Sequence, residues 1–368
     1  MKKRIAFLTD IPEDTGSWIG RYEPWIKYLR LEGYEVTAFL PAQPYFRRVN
    51  NGRRQYGTLR LLWVAWGNLT RTLGGMWEAT PDTILLGKPL PVSSVVAIFF
   101  RLFFRKELIV DCDDHEGAIN TFRSPIQKGI VLFFEWATPF FAHKVVVHTS
   151  YGKERLIRRN VPARKIFFLL NGVDPERFIG IDAGAGVGAR TICYCGDLNA
   201  QSGHAVDLLL EAFAEVLKVA PDTVLWIVGD GKDAEVFRDI ALDLNVDRNI
   251  RWWGRVSPQD VPAYLSRASV VVDPVRNTLS NLYRCPLKVI EALYLGKQVV
   301  TGDIGDRKEL LNGKGILVRS EEPKDWAAAL LQALRNPVRE ESPKERFSWK
   351  GFVKEFEISC LIPSNFSG

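Results

Sequence analysis

The sequence predicts an α/β protein made of two Rossmann-like, doubly wound halves facing each other across a cleft, and three observations predict it. Short β-branched runs alternate with longer amphipathic patterns from end to end, the signature of βαβ units and a mainly parallel sheet. The stretch GIDAGAGVGA at 180–189 interrupts this alternation and reads as a hinge. At 368 residues the chain is long enough for two or three domains, each with its own core.

In the first half, strands are predicted at RIAFLT (4–9), EVTAF (35–39), LRLLW (59–63), TILL (83–86), LIVD (108–111), KVVV (144–147) and IFFL (166–169). Helical patterns separate several of them, most clearly at 22–32 and 150–159. After the hinge come TICYC (191–195), TVLWIV (223–228), IRWW (250–253), VVVD (270–273), QVVT (298–301) and GILV (315–318). The helices between them include 205–219 and 286–295. No repeat of solenoid or propeller period is present.

Composition narrows the function classes. Apolar residues make up 46% and charged residues 25%, which excludes a disordered or fibrous chain. The formal net charge of +6 favours anionic partners. Basic residues are dispersed among acids without a recognisable module, which argues against nucleic acid. Five cysteines without a paired CxxC pattern favour neither a disulfide framework nor a zinc site, and point to a reducing, cytoplasmic setting. The N-terminal apolar run is too short for a signal h-region of about 7–15 residues. VSSVVAIFFRLFF and GIVLFFEWATPFFA are each interrupted by charge or proline before reaching the ~20 residues of a membrane span.

Ligands of parallel sheets sit where strands give way to helices, because helix N-termini present unpaired N–H groups suited to phosphate. Three such junctions carry polar residues. After the first strand, Gly16 and Gly20 bracket a polar turn that is not a GxGxxG fingerprint, so an ordinary NAD-dependent dehydrogenase is disfavoured. After LIVD, the run from Asp111 to Gly117 holds Cys112, Asp113, Asp114, His115 and Glu116, in a spacing that matches no standard metal motif. It reads either as a polar site facing the cleft or as helix-capping acids beside a solvated histidine. In the second half, Pro286 sits where a helix begins, with Lys288 in its first turn and Glu291 one turn on. The pair reads either as part of a diphosphate site or as a surface i,i+3 ion pair.

The segments VVVHTSYGKERL, VPARKIFFLLNGVDPERF, DLLLEAFAEVLKVAPDTVLWIVGDG, RWWGRVSPQDVPAYLSRASVVVDP and CPLKVIEALYLGKQVVTGD together cover about residues 140 to 335. In them the chain resembles the retaining glycosyltransferases of family 4, which have the GT-B fold. The resemblance implies an N-terminal acceptor-side domain at 1–175, a linker at 176–190, a nucleotide-sugar-binding domain at 191–345, and a terminal helix and tail at 346–368 packing back toward the first domain. It implies transfer of a hexose-type sugar from a nucleotide diphosphate sugar, of UDP or GDP type, with retention and without a metal or other cofactor.

By the same resemblance Glu291 binds the donor ribose, and Pro286, Leu287 and Lys288 face the diphosphate. Gly229, Gly231, Gly254 and Val256 lie near the base, His115 lies near the sugar, Asp114 orients sugar or acceptor, and Gly16 lies by donor and acceptor. The chain departs from the family pattern at Tyr283, where a sugar-binding glutamate is usual. It also lacks the usual Arg and Lys after the first strand of the second domain, so Lys288 and Arg284, with His204, are expected to supply that charge. The implied acceptor is a glycan or lipid-linked molecule in cell-surface polysaccharide or glycolipid synthesis. The basic, aromatic run VSSVVAIFFRLFFRKELIV makes an anionic membrane surface a further expected partner, unless it is a core helix with a cationic end. Arg47, Arg48, Arg53 and Arg54 form a second basic stretch. A protein of this fold that binds a sugar nucleotide without turnover is the competing reading.

Overall fold

The computed structural model describes residues 3–49, 52–120, 122, 124–182, 190–335 and 344–362. They form two units, one comprising residues 1–172 and 349–368 and the other residues 173–348.

In unit 1 six parallel strands pair in the order β2-β1-β5-β6-β7-β8, with β1 Arg4–Thr9, β2 Glu35–Phe39, β5 Thr83–Gly87, β6 Glu107–Asp111, β7 Lys144–Val147 and β8 Ile166–Phe168. A separate antiparallel hairpin joins β3 Phe46–Val49 to β4 Gly52–Gln55, with Arg47 opposite Arg54 and Arg48 opposite Arg53. The central strands are buried on both faces, which is why they read as unbroken apolar runs. On one face lies α1, Glu23–Leu31, joined by the terminal helix Trp349–Phe356. Trp25 stacks on Trp349 at 5.9 Å and meets Phe356 edge-on at 4.9 Å.

The other face carries α2 Thr58–Ala79, α3 Pro91–Phe103, α5 Pro125–Phe141 and α6 Ser150–Arg158, with the short α4, Glu116–Ile119, ahead of α5. Pro91 and Pro125 open their helices, where a missing N–H costs nothing. Ser124 Oγ accepts from the Gln127 N–H and Thr149 Oγ1 from the Gly152 N–H, capping α5 and α6.

One predicted strand is wrong. LRLLW at 59–63 lies inside α2. A continuous apolar run does not by itself distinguish a strand from a helix. Here the period is helical, since Leu59, Leu62, Trp63 and Trp66 share one exposed stripe while Val64 and Asn68 face inward.

Unit 2 repeats the architecture with β11-β10-β9-β12-β13-β14, all parallel: β9 Thr191–Cys195, β10 Val224–Val228, β11 Ile250–Gly254, β12 Val270–Asp273, β13 Gln298–Gly302 and β14 Ile316–Val318. Its helices are α7 Val206–Val219, α8 Ala234–Asp243, α9 Val261–Arg267, α10 Leu279–Leu282, α11 Leu287–Tyr294, α12 Arg307–Leu311 and α13 Pro323–Arg335; the terminal helix of unit 1 is thus α14. The unit boundary falls after Gly172. Across the predicted start of the linker, Pro175–Phe178 is a helical turn of unit 2 capped by Asp174, whose Oδ1 accepts from the Glu176 N–H at 3.2 Å. Residues 183–189 lie outside the described residues.

Candidate functional site

In unit 2 the strand order reverses beside β9, with β10 and β11 to one side and β12 to β14 on the other. Such a switch point opens a crevice at the carboxyl ends of the strands. Asp273 ends β12 there, fully buried. Its Oδ2 accepts from Arg307 Nε at 2.9 Å and Thr301 Oγ1 at 3.0 Å, while its Oδ1 lies 3.3 Å from Lys288 Nζ and accepts no hydrogen bond. Burial opposes its charge, but Arg307 and then Lys288 hold the carboxyl below the usual carboxylate range.

Pro286 is the extended residue that precedes α11, one position earlier than the first-turn place its sequence suggests, and Leu287 opens the helix. Lys288 follows in the first turn, buried. Its ammonium sits 3.5 Å from His204 Nδ1, 4.2 Å above the Tyr194 ring, and 3.1 Å from where a Cβ on Gly196 would stand. Burial pulls Lys288 below the ordinary lysine value, with Asp273 working against it. Burial, then the Lys288 charge, hold His204 well below the usual imidazole value, so it is neutral at pH 7. Arg284 Nη1 donates to Asn281 Oδ1 at 3.1 Å, and Asn281 Nδ2 in turn donates to the carbonyls of Gly203 and Arg276, both at 2.9 Å. Two cations thus stand beside the loop after β9, where the expected Arg and Lys are missing from the sequence.

Lys288 and Glu291 do not form a surface pair. Both are buried, and Glu291 Oε1 accepts from Arg177 Nη1 at 2.9 Å, while Arg177 Nη2 donates to the Pro258 carbonyl. Burial pushes the Glu291 carboxyl up and Arg177 draws it back. Arg177 escaped the sequence reading, although it lies just past the NGVD segment.

The glycines of this edge bring backbones together. A Cβ on Gly229 would lie 1.9 Å from the Gly196 carbonyl oxygen, and one on Gly231 2.4 Å from that of Leu198. The Gly229 N–H donates to the Gly254 carbonyl and the Gly196 N–H to that of Val228, at 2.8 and 2.9 Å. Val256 lies half-buried two residues beyond β11.

Unit 1 gathers a different set at its carboxyl edge. Arg21, on the helical turn Trp18–Tyr22, holds Asp111 at the end of β6 through Nε at 2.7 Å and Nη2 at 2.6 Å, and Asn171 Oδ1 accepts from its Nη1 at 2.9 Å. Lys88, buried just after β5, has Asp113, Asp114 and Glu116 at 3.3, 2.8 and 2.7 Å. Burial opposes the Lys88 charge, yet these carboxylates together hold the ammonium well above its ordinary value. Burial pushes Asp113 up, against Lys88. The acidic run is therefore anchored by a lysine that the sequence reading passed over. Three of its carboxylate oxygens lie within 4.8 Å of one another, but Lys88 already occupies their centre of charge. His115 precedes α4, nearly buried, with Nδ1 3.0 Å from the Glu135 carboxylate. Gly16 stands in an exposed turn with nothing within 4 Å of its Cβ position, just after Thr15, whose Oγ1 accepts from the Trp18 N–H.

Comparison with known proteins fits this geometry. Residues 189–336 match the family Glycosyl transferases group 1. Over 235 residues the chain is 28% identical to the D-inositol 3-phosphate glycosyltransferase of Corynebacterium kroppenstedtii, covering 56% of this chain and 51% of that protein. Over 210 residues it is 30% identical to the GDP-mannose-dependent alpha-(1-6)-phosphatidylinositol monomannoside mannosyltransferase of Mycolicibacterium smegmatis, covering 54% of each. The chain spans about half the length of these curated relatives. Among solved structures, sucrose-phosphate synthase of Thermosynechococcus elongatus superposes with a TM-score of 0.75 at 18% identity, covering 97% of this chain and 98% of that one. The Anabaena protein HepE in complex with UDP-glucose gives 0.71 at 14%, covering 98% and 99%. The fold is GT-B, two parallel six-stranded sheets with flanking helices, as the sequence predicts.

Proposed function

We propose, from the premise that residues 189–336 belong to the group 1 glycosyltransferases, that this protein transfers a hexose-type sugar from a nucleotide diphosphate sugar to a glycan or lipid-linked acceptor, with retention and without a metal. The observation that carries the reading is the buried ammonium of Lys288 in the first turn of α11, at the switch point of a parallel sheet and flanked by Arg284. As a glycosidic bond to phosphate breaks, charge grows on the leaving diphosphate, and fixed cations with helix N–H groups stabilise it more than the ground state. Lys288 suits this because its ties to Asp273 and His204 are long enough to be exchanged for phosphate oxygens.

Glu291 is assigned to the donor ribose and the backbone of Gly229, Gly231, Gly254 and Val256 to the base. On unit 1, His115, Asp114 and Gly16 are assigned to sugar and acceptor. A UDP or GDP donor is consistent with the relatives, one named for GDP-mannose and one solved with UDP-glucose. The same names make inositol-type, lipid-linked acceptors of cell-surface glycolipid synthesis the first to try.

Thermal shift against UDP, GDP, ADP, CDP, TDP and their sugar conjugates tests the donor site, because a ligand of the folded state raises the melting temperature. A rise selective for one base supports the reading, and no rise with any of them sinks it. Anomeric configuration of the product by NMR, with and without excess EDTA, then tests retention and metal independence. The second reading, binding without turnover, is favoured by the ion pair that already engages Glu291. Transfer to any acceptor excludes it.

A further inference from the structure

The outer face of unit 1 is apolar where solvent ordinarily selects polar residues. More than half of the exposed large apolar side chains among the described residues lie on three helices, α2, α3 and α5. These helices neighbour one another, α3 between the other two. On α2, Leu59, Leu62, Trp63 and Trp66 are each more than 60% exposed, while Val64 and Met76 of the same helix are buried. The helix therefore has apolar residues on both its inner and its outer side, and core packing accounts for only one of them. Phe103 is 72% exposed at the end of α3, and Trp77 of α2 meets Phe104 edge-on at 5.3 Å. Ile126, Phe133 and Trp136 continue the surface along α5. Patches of this extent mark interaction sites.

Basic residues gather at one end of this face. A pocket of about 710 Å³ opens where α3 and α5 end, lined by Arg101, Arg105, His143, Lys144, Arg164 and Lys165 beside Leu102, Phe140 and Phe141. None of its lining residues is acidic. Among the described residues, Arg101, Arg105 and Arg164 have no carboxylate within ion-pair distance, while Lys144 and Lys165 donate only to backbone carbonyls. The pocket lies at the amino edge of the sheet, since Lys144 begins β7 and Arg164 and Lys165 precede β8. It is therefore remote from Lys88 and Asp111, which stand at the carboxyl edge. Five permanent cations without an acidic partner repel one another, and an anion lowers that cost. No described helix is long and apolar enough to cross a membrane, so the chemistry that suits both features is an interface, apolar chains beside anionic headgroups.

We propose that α2, α3 and α5 form a docking face for an anionic bilayer, their exposed aromatic and aliphatic side chains entering the headgroup boundary while the pocket of Arg101, Arg105, Arg164 and Lys165 holds a phospholipid phosphate. The face extends the expectation read from α3 alone to two further helices and gives it a headgroup site. It deepens the lipid-linked acceptor reading. Its test needs neither donor nor turnover, so the two fail separately.

The full chain is sedimented with vesicles of phosphatidylcholine alone and of phosphatidylcholine mixed with phosphatidylglycerol. The wild type is expected to partition onto the anionic vesicles at least about tenfold more strongly. Arg101→Ala with Arg105→Ala should lower that partition by roughly thirtyfold, and Leu102→Ser with Phe103→Ser by at least about tenfold. These side chains are exposed or half-buried, so melting temperatures and nucleotide thermal shifts should stay at wild-type values. Arg164→Glu is the second probe if a double variant melts early. Equal partition onto both vesicle types, or arginine variants that bind like wild type, would overturn the proposal. So would a phosphate-dependent rise in melting temperature, lost in Arg101→Ala, without any vesicle binding, which would mark a soluble-anion site. A dimer dissolved by Phe103→Ser, again without vesicle binding, would assign the face to a second copy of the chain.

Discussion

The two sheets end a strand in the same way and treat the result differently. In unit 1, Asp111 closes β6 and is held by two short bonds from the one guanidinium of Arg21, which also reaches Asn171 and the carbonyls of Leu169 and Leu170. In unit 2, Asp273 closes β12, but only one of its oxygens is hydrogen-bonded, to Arg307 and Thr301. The other faces Lys288 at 3.3 Å without accepting a bond. Bidentate guanidinium–carboxylate pairs are strong and rigid, whereas an ammonium held by a long ion pair and a ring face is available for exchange. The first pair is a structural tie; the second leaves a cation to spend on a ligand.

The sharpest way to break this comparison is to remove the closed tie. Arg21→Met leaves the Asp111 carboxyl buried without its guanidinium partner, and deleting one member of a buried pair costs about 3–5 kcal/mol. Urea unfolding should show a loss of that order. A loss below about 1 kcal/mol would mean that the pair is not structural.

Next in size is the open pair. Lys288→Met leaves Asp273 with Arg307 and Thr301, so the fold should survive. Calorimetry should then show nucleoside diphosphate affinity reduced roughly tenfold to hundredfold, the range for charge-assisted bonds of about 1.5–3 kcal/mol. Unchanged affinity in a folded variant would erase the distinction between the two aspartates. Glu291→Gln is a smaller change, since it keeps the shape and removes the charge that Arg177 neutralises. It should weaken nucleotide binding by roughly fivefold to tenfold, the value of about one hydrogen bond to ribose, and equal affinity would remove the ribose assignment.

How much of this was legible follows from distance along the chain. Strands buried on both faces announce themselves as apolar runs, and β1, β6, β7, β9, β12 and β13 stand within a residue of their predicted bounds. The run at 59–63 misled because four apolar residues in five satisfy either period, and only the continuation through Trp66 decides for a helix. The hairpin β3–β4 was missed because its sequence is charged and short. At the site, residues on one local element, such as Pro286 to Glu291, could be grouped from spacing. Partners brought together by topology could not: Arg21 lies 90 positions from Asp111, and Arg177 lies 114 from Glu291. Nothing in a local pattern encodes such pairs. Lys88 differs, because a lone basic residue just after a buried strand is itself a local signal that the acidic run after β6 has a partner.

A third strand-end carboxylate sharpens the contrast, because among the described residues no cation pairs with it. Asp10 follows β1 and accepts from the backbone N–H groups of Val92 and Ser93 at the start of α3, at 3.0 and 3.1 Å. Burial outweighs these bonds and raises its carboxyl to about 7, the opposite of Asp273, whose cations win against the same burial. An acid whose value is raised on folding binds its proton more tightly in the folded state. Its contribution is therefore full below the unfolded value near 4 and is lost as pH rises toward about 7. Melting at fixed low salt should show stability falling by about 1 kcal/mol per pH unit between pH 5 and 6, over and above the other titrating groups. Asp10→Asn keeps an acceptor for the α3 N–H groups and removes the proton, so its profile should be flatter by that amount. An unchanged slope would mean that the helix N–H groups hold Asp10 ionised despite its burial, and that the cations beside Asp273 are not what separates these two strand ends.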